Sequence, residues 1–378
     1  MPRFARMLQE AYLKLGHEVL LWSPRARMYR CVPQGPLEKW AGYIDQYLMF
    51  PLWVKWQLRL QPMDTLFVFC DQALGPWVPL VCHRPHVVHA HDLLALRSAL
   101  GEIPENPTSW TGKLYQRYIR RGFSNAQCFI SISRKTQDDL RRVGNITPRI
   151  SEVVYNGLNY PYAPLDLTQA KAVLAQAGLP ASSQGMLLHV SGGQWYKNLA
   201  GVIALYGAYA KTQLAPLPLW CIGPQPSAAV QAAIDSIPNG RVYFYQGLSN
   251  EALTAAYSLA RIFLLPSLAE GFGWPIIEAQ SCGCPVLTTD APPMTEVGGS
   301  AAWYLPLRGD MESLDSWASA GAMEIKKLLD LPSHAKHKLV HMGINNAARF
   351  NADAAIASYL RIYRQALKNA TSCGQKIA

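Results

Sequence analysis

No stretch of this chain reaches about 18 uninterrupted apolar residues, so the sequence offers no transmembrane helix. Its start, Met1-Pro-Arg-Phe-Ala-Arg-Met-Leu-Gln-Glu10, is amphipathic, not a basic end followed by an apolar block, and no signal peptide is expected. The eight cysteines form no C-x-x-C pair, and Cys70, Cys128 and Cys221 lie in apolar runs. That pattern fits reduced core thiols in a cytoplasmic protein better than disulfides or zinc, and Cys282-Gly-Cys284 alone does not make a metal site. Internal repeats at a fixed period and low-complexity tracts are also missing, which excludes solenoids and extended disordered arms. Charged residues are sparse at 16%, against 50% hydrophobic. Over 378 residues, that composition allows substantial cores in two or three domains.

What is present is a regular alternation of helical periodicity and short apolar runs. Phe4, Met7, Leu8, Ala11, Tyr12 and Leu15 follow i, i+3, i+4, i+7 spacing, predicting an opening amphipathic helix ended at Gly16. Strand-like runs follow at Val19–Trp22, Leu66–Cys70, His86–Ala90, Gln127–Ile132 and Ile150–Tyr155. A second series comprises Met186–Val190, Leu217–Ile222, Val242–Tyr245, Ile262–Leu265, Pro285–Thr288 and Ala301–Leu305. Strands alternating with helices predict an α/β fold with mostly parallel sheets covered on both faces. Tyr160-Pro-Tyr-Ala-Pro164 reads as a hinge between two Rossmann-like domains, 1–163 and 164–352. The last segment, 353–378, reads as a helix with Ile356, Tyr359, Leu360 and Tyr363 on one face.

The densest signal is Pro266-Ser-Leu-Ala-Glu-Gly-Phe-Gly-Trp-Pro-Ile-Ile-Glu-Ala-Gln-Ser-Cys-Gly-Cys-Pro-Val286. An apolar strand, Arg261–Pro266, leads into a glycine turn, and Pro275 suits the first position of a helix. Gly271 and Gly273 let backbone approach a ligand, so the turn and helix start form an anion cradle with Glu270 and Glu278 facing it. Either glutamate alone also fits an ordinary turn or helix-dipole position. The whole string closely resembles the E-x7-E motif of glycosyltransferase family 4, the retaining, nucleotide-sugar-dependent GT-B enzymes. Gly16-His17-Glu18-Val19, Phe129-Ile-Ser-Ile-Ser133, Val154-Tyr-Asn-Gly157 and Gly192-Gly-Gln-Trp-Tyr-Lys-Asn198 follow in that family's order. The resemblance thus covers most of the chain.

The resemblance implies a GT-B fold, two Rossmann-like domains facing a central cleft, with the final helix crossing back onto the first domain. It implies transfer of a sugar from a nucleotide diphosphate to an acceptor hydroxyl with retention. Glu278 would bind the ribose hydroxyls and Glu270 those of the donor sugar, while the amides of Gly271, Phe272 and Gly273 position that sugar. His91 and Asp92, in Val87-Val-His-Ala-His-Asp-Leu93, resemble the family's cleft-facing H-D pair, which implies a catalytic His91 hydrogen-bonding a donor-sugar hydroxyl and Asp92 on the acceptor side. His89 is read as pointing into the sheet, and Ser133 as a helix N-cap. Family members open with a strand and a glycine-rich loop before the first helix; this chain begins at that helix, and its first strand is expected to be missing.

A second cluster supports the donor reading. An apolar strand runs into Gly192-Gly193, and a helical pattern begins near Lys197. Backbone amides and a lysine there suit a diphosphate, so Lys197 is the expected phosphate binder, beside Gln194 and Asn198. Where relatives carry an arginine a few residues earlier, this chain has Gln194 and Tyr196 nearby. No D-x-D pair is placed to hold Mg²⁺ on a diphosphate, so neither metal nor cofactor is expected.

Charge divides unevenly. Residues 1–160 hold 20 Lys and Arg against 12 Asp and Glu, an excess of 8 in a chain of net charge +10. Within them, 38–59 interleaves Trp40, Tyr43, Tyr47, Trp53 and Trp56 with Lys39, Lys55 and Arg59. Such a segment suits peripheral contact with the inner membrane face, or a core or acceptor-pocket helix. No nucleic-acid motif accompanies the basic bias. Expected partners are a nucleotide sugar and a saccharide or lipid-linked acceptor, in cell-surface polysaccharide or glycolipid synthesis. The alternatives are a nucleotide-sugar epimerase on the same fold and a non-catalytic or truncated remnant.

Overall fold

The computed structural model describes residues 2–33, 35–180, 184–309 and 311–374. It divides into two compact units, one of Met1–Ile132, Thr136–Val154 and Ala355–Ala378, the other of Ser133–Lys135 and Tyr155–Ala354.

The first unit holds a parallel sheet in the order β1 (Phe67–Phe69), β2 (His86–Ala90), β3 (Cys128–Ser131), β4 (Ile150–Val153). Every residue of β2 and β3 is buried, as strands covered on both faces must be. Side chains alternate across a strand, and the two cores separate accordingly. Val87 and Ile130 face Phe4, Leu8, Tyr12 and Tyr359, whereas Val88 and Phe129 face Val78, Ile119, Phe123 and Leu140. The first core joins the helix Pro2–Lys14 to the helix Ala352–Gly374, whose buried residues Tyr359, Ile362, Tyr363 and Ala366 recur at i, i+3, i+4, i+7. Ile356 and Leu360, expected on that buried face, are only partly buried at its margin.

Val19–Trp22 is not a strand. Val19 packs on the first core, and Trp22 sits against Trp53 and Phe67 with ring centroids 5.3 and 5.5 Å apart. Leu20 and Leu21 between them are exposed. Inward positions three residues apart break the two-residue alternation of a strand with one buried face, so the apolar run is satisfied by side-chain packing alone.

The second unit holds a six-stranded parallel sheet in the order β10-β9-β8-β5-β6-β7. Its strands are β5 (Met186–Val190), β6 (Leu219–Ile222), β7 (Val242–Tyr245), β8 (Ala260–Leu265), β9 (Val286–Thr289) and β10 (Ala302–Leu305). Leu187, Leu219, Ile262, Leu264 and Leu287 pack one face against Val202, Leu205 and Tyr206 of the helix Leu199–Lys211 and against Trp317 and Ile325. Strand β5 lies between β6 and β8; the chain runs from β5 to β6 on one side and from β8 to β9 on the other, so the strand order reverses at this pair. Such a reversal is where α/β sheets place a ligand crevice, and here it falls between the carboxyl ends of β5 and β8.

Two buried tyrosines in the first unit separate packing from hydrogen bonding. Tyr363 Oη meets His89 Nε2 at 2.6 Å, whereas the Tyr359 hydroxyl is buried with no hydrogen-bond partner among the described residues. Tyr359→Phe removes an unsatisfied group and should leave urea stability unchanged or raised by about 1 kcal/mol; Tyr363→Phe strands His89 and should cost about 1–3 kcal/mol. Equal losses in the two variants would contradict this assignment.

Candidate functional site

Both loops at the crevice of the second unit are pinned by side chains. Leaving β8, the turn after Leu265 is held from β9, where Thr288 Oγ1 donates to the Leu265 carbonyl (2.8 Å) and Thr289 Oγ1 to that of Ser267 (2.7 Å). Leaving β5, Ser191 runs through Gly192 and Gly193 into a single 3₁₀ turn, Trp195–Lys197. Gly193 takes φ +82°, and a Cβ there would lie 2.6 Å from Pro224 Cγ, so both conformation and space require glycine. Asn198, at φ 55°, caps the helix Leu199–Lys211 by accepting from the Gly201 amide (3.1 Å). Its Nδ2 donates to the Pro266 carbonyl (2.9 Å), and the Leu268 amide donates to the Tyr196 carbonyl (2.8 Å), tying the two loops together.

This bracing brings Lys197 and Glu270 together. Lys197 Nζ donates to Glu270 Oε1 at 2.6 Å, and Ser267 Oγ donates to the same oxygen at 2.8 Å. Both side chains are nearly dry, at 10% and 5% exposure. Desolvating two charges costs several kcal/mol each, and packed apolar residues would serve stability as well or better. Sequence reasoning singled out both residues but not their ion pair, which depends on strand order rather than on chain spacing.

Gly273, at φ +98°, precedes the helix Trp274–Ser281, so Pro275 falls at its second position rather than its first. Glu278 is half-buried on this helix, and its Oε2 accepts from Tyr257 Oη at 3.1 Å. Burial, with the Glu278 charge adding to it, holds the Tyr257 phenol well above its usual value, so it stays a donor. Gly271 is half-buried and its carbonyl accepts from Ser133 Oγ at 2.9 Å. The Phe272 ring is buried against Phe350 and Trp274.

A cavity of about 420 Å³ opens beside the β5 loop, lined by Ser191, Gly193, Gln194, Pro224, Gln225 and Phe244 among others. Gln194 is exposed at its rim, beside exposed Gly192. The Gly223-Pro-Gln-Pro226 wall was missed in the sequence; its signal is a Gly/Pro turn directly after an apolar strand, where α/β sheets place ligand contacts. His189 was missed too. It is buried at the cavity floor, with Nδ1 2.9 Å from the Leu264 carbonyl, and burial, aided by the Lys197 charge, lowers its pKa to about 4. The ring is therefore neutral at pH 7, donating from Nδ1 and leaving Nε2 unpaired among the described residues.

In the first unit, His91 and Asp92 follow β2. The His91 Nε2 lies 3.0 Å from the Cys70 carbonyl, and burial lowers its pKa to about 4, so the neutral ring donates from Nε2. The Gln72 side chain accepts from the His91 amide (3.0 Å) and donates to the Asp92 carbonyl, while Asp92 Oδ1 accepts from the Leu94 amide (3.0 Å). Burial above all, with the Asp92 charge, raises the neighbouring Asp71 carboxyl to about 6. His89 lies wholly inside the sheet. Among the described residues, no group of three or more His, Cys, Asp or Glu could hold a metal ion.

Two parallel α/β sheets, and the solved structures that share them, place the chain in the GT-B fold class. The chain shares this fold with Anabaena Alr3699/HepE, solved in complex with UDP and glucose, at TM-score 0.60 and 18% identity, covering 96% of this chain and 89% of that one. Residues 1–160 match the model of Glycosyltransferase Family 4 and residues 174–305 that of Glycosyl transferases group 1; the chain belongs to this family. Its relatives include the O-antigen chain mannosyltransferase B of Escherichia coli, 23% identical over 61% of this chain and 62% of that protein. Another is the O-antigen chain mannosyltransferase RfbU of Salmonella typhimurium, 25% identical over 60% of this chain and 58% of that protein. The chain spans less than two thirds of the length of these curated relatives.

His189 makes acid stability diagnostic. Unfolded histidine binds its proton near pH 6.5 and the folded one only near 4, so between these values the unfolded state holds more protons. Stability is full above 6.5 and should fall by up to about 1.4 kcal/mol per pH unit from this residue as pH drops toward 4. His189→Phe should flatten the slope of urea stability against pH in that window; an unchanged slope would contradict the neutral, buried assignment.

Proposed function

We propose that this chain is a retaining hexosyltransferase that moves a sugar from a nucleotide-diphosphate donor to an acceptor hydroxyl in cell-surface polysaccharide or glycolipid synthesis. The observation that carries the reading is the dry Lys197–Glu270 pair at the strand-order reversal, beside the cavity at the carboxyl end of β5. Lys197 supplies positive charge for the leaving diphosphate, and Glu270 accepts from donor-sugar hydroxyls. Glu278 accepts from the ribose hydroxyls, and the amides at Gly271, Phe272 and Gly273 orient the sugar. Catalysis then rests on positioning and on stabilising the leaving group, with no metal required. The second unit takes the nucleotide sugar, and the first, with Asp92, serves the acceptor. The names of the two O-antigen relatives support a polysaccharide acceptor.

The test is a screen of the purified protein with UDP-, GDP- and ADP-sugars for nucleotide release that depends on acceptor. Lys197→Ala should lower kcat/KM by about two orders of magnitude with a smaller loss of nucleotide affinity, and Glu278→Gln should weaken donor binding by about 1.5–3 kcal/mol. Acceptor-independent turnover, or a folded Glu278→Gln with full donor affinity, would overturn these roles.

Peripheral attachment at the inner membrane face is part of the same proposal. No helix among the described residues is long and apolar enough to cross a membrane. The first unit nevertheless exposes Trp40 (66%), Trp56 (55%) and Trp110 (73%) with Leu48, Leu52 and Leu114, and Lys39, Lys55, Arg59, Lys113, Arg117 and Arg121 are exposed as well. Each cation near an anionic leaflet adds about 1 kcal/mol, screened by salt. The protein should sediment with phosphatidylglycerol vesicles at low salt and release at high salt; no binding at low salt would remove the membrane contact and leave the transfer reading standing.

A further inference from the structure

The first unit contains a second cavity, of about 280 Å³, lined by Arg25, Arg27, Asp45, Leu52, Trp53 and Trp56 among others. Asp45 is buried, and its carboxylate accepts from three consecutive backbone amides, those of Arg27, Met28 and Tyr29, each at 3.0 Å. That grip fixes the segment carrying the two arginines. Both are exposed, and neither lies within ion-pair distance of an acid among the described residues, so their guanidiniums are available to a ligand. The opposite wall is aromatic. Trp53 is locked edge-on to Trp22 (5.3 Å) and stacked on Phe50 (5.8 Å), while Trp56, one turn further along the helix Phe50–Gln57, is 55% exposed.

A rigid indole beside an exposed one offers faces to the C–H side of a pyranose, and paired guanidiniums offer planar donors that match phosphate oxygens. A flat bilayer surface requires neither a concavity nor arginines pinned by a buried carboxylate. The volume lies near the lower end of ligand sites, about 300–1,000 Å³, and suits one sugar phosphate rather than a chain of sugars. The geometry points to this cavity as the binding site of an acceptor saccharide bearing a phosphate or diphosphate, its sugar on Trp53 and Trp56 and its phosphate on Arg25 and Arg27. This rests on the transfer reading above and names the acceptor class.

The test is fluorine NMR of protein labelled with 5-fluorotryptophan, the two resonances assigned with Trp53→Phe and Trp56→Phe. Mannose 1-phosphate should shift both resonances with an apparent Kd at least about tenfold below that of methyl mannoside. Arg25→Ala/Arg27→Ala, changes at exposed positions, should erase that difference. A citronellyl diphosphate-linked mannose, run alongside, separates the sources: tighter binding than mannose 1-phosphate marks a lipid-linked acceptor, and equal binding a soluble one, both supporting the site. Equal response to sugar and sugar phosphate, no shift at either tryptophan, or a response to phosphatidylglycerol vesicles alone would overturn it. Trp195, at the second unit's cavity, reports the transfer reading separately. Its response to UDP or GDP with silent Trp53 and Trp56 sinks the acceptor site alone, and the reverse pattern sinks the transfer reading alone.

Discussion

Everything at the second unit's crevice depends on the position of β5 between β6 and β8. Parallel strands require crossovers, and those from β5 to β6 and from β8 to β9 run to opposite sides of this strand pair. Pairing of β5 with β8 sets their ends side by side, although Lys197 and Glu270 are 73 residues apart in the chain. The bracing follows from the same constraint. Asn198 reaches the Pro266 carbonyl, and Tyr196 receives the Leu268 amide, because both loops must turn over the same strand pair. Thr288 and Thr289 hold the second loop from the far side. A site on braced strand ends is preorganised, which positioning-based catalysis demands.

The ion pair is costly as architecture and useful as chemistry. Glu270 Oε1 accepts from both Lys197 and Ser267, so one oxygen is saturated and the lysine's charge is balanced. On the proposed reading, an anion entering the crevice would compete with Glu270 for the lysine, and the hydroxyl of a bound sugar would compete for the carboxylate. The two residues therefore respond together, and substitution of either one disturbs the other's charge balance. Neutral His189 beneath them contributes to the same economy of charge: a second cation there would raise the cost of burying Lys197, and burial keeps the ring uncharged.

Most strands, and the positions of Lys197 and Glu270 at the ends of β5 and β8, were legible in the sequence, because buried parallel strands are continuous apolar runs and their ends carry glycine and proline. β2 and β5 fall where the runs place them. Val19–Trp22 misled, since four apolar residues in a row do not reveal whether they pair or merely pack. The motif around Glu270 and the separate cluster around Lys197 named these residues without showing that they touch. His189 was invisible for a related reason: a histidine inside an apolar strand looks structural until its unpaired nitrogen is found at a cavity floor. Ile362, buried on the last helix beside the expected Tyr359 and Tyr363, shows the apolar stripe wider than the residues chosen for it.

The distribution of charge carries its own argument. Residues 161–378 hold 15 Lys and Arg against 13 Asp and Glu, so the half that would take an anionic nucleotide sugar is close to neutral and would rely on one placed lysine and backbone amides. Residues 1–160 carry the excess of 8, in the half where aromatic side chains are most exposed. A general role in attracting a small anion would put the cations at the crevice of the second unit. Their location, among exposed tryptophans and beside a cavity lined by two exposed arginines, fits a larger anionic partner that also has apolar surface. Placed charges serve orientation and diffuse charge serves encounter, and in this chain the two are carried by different halves.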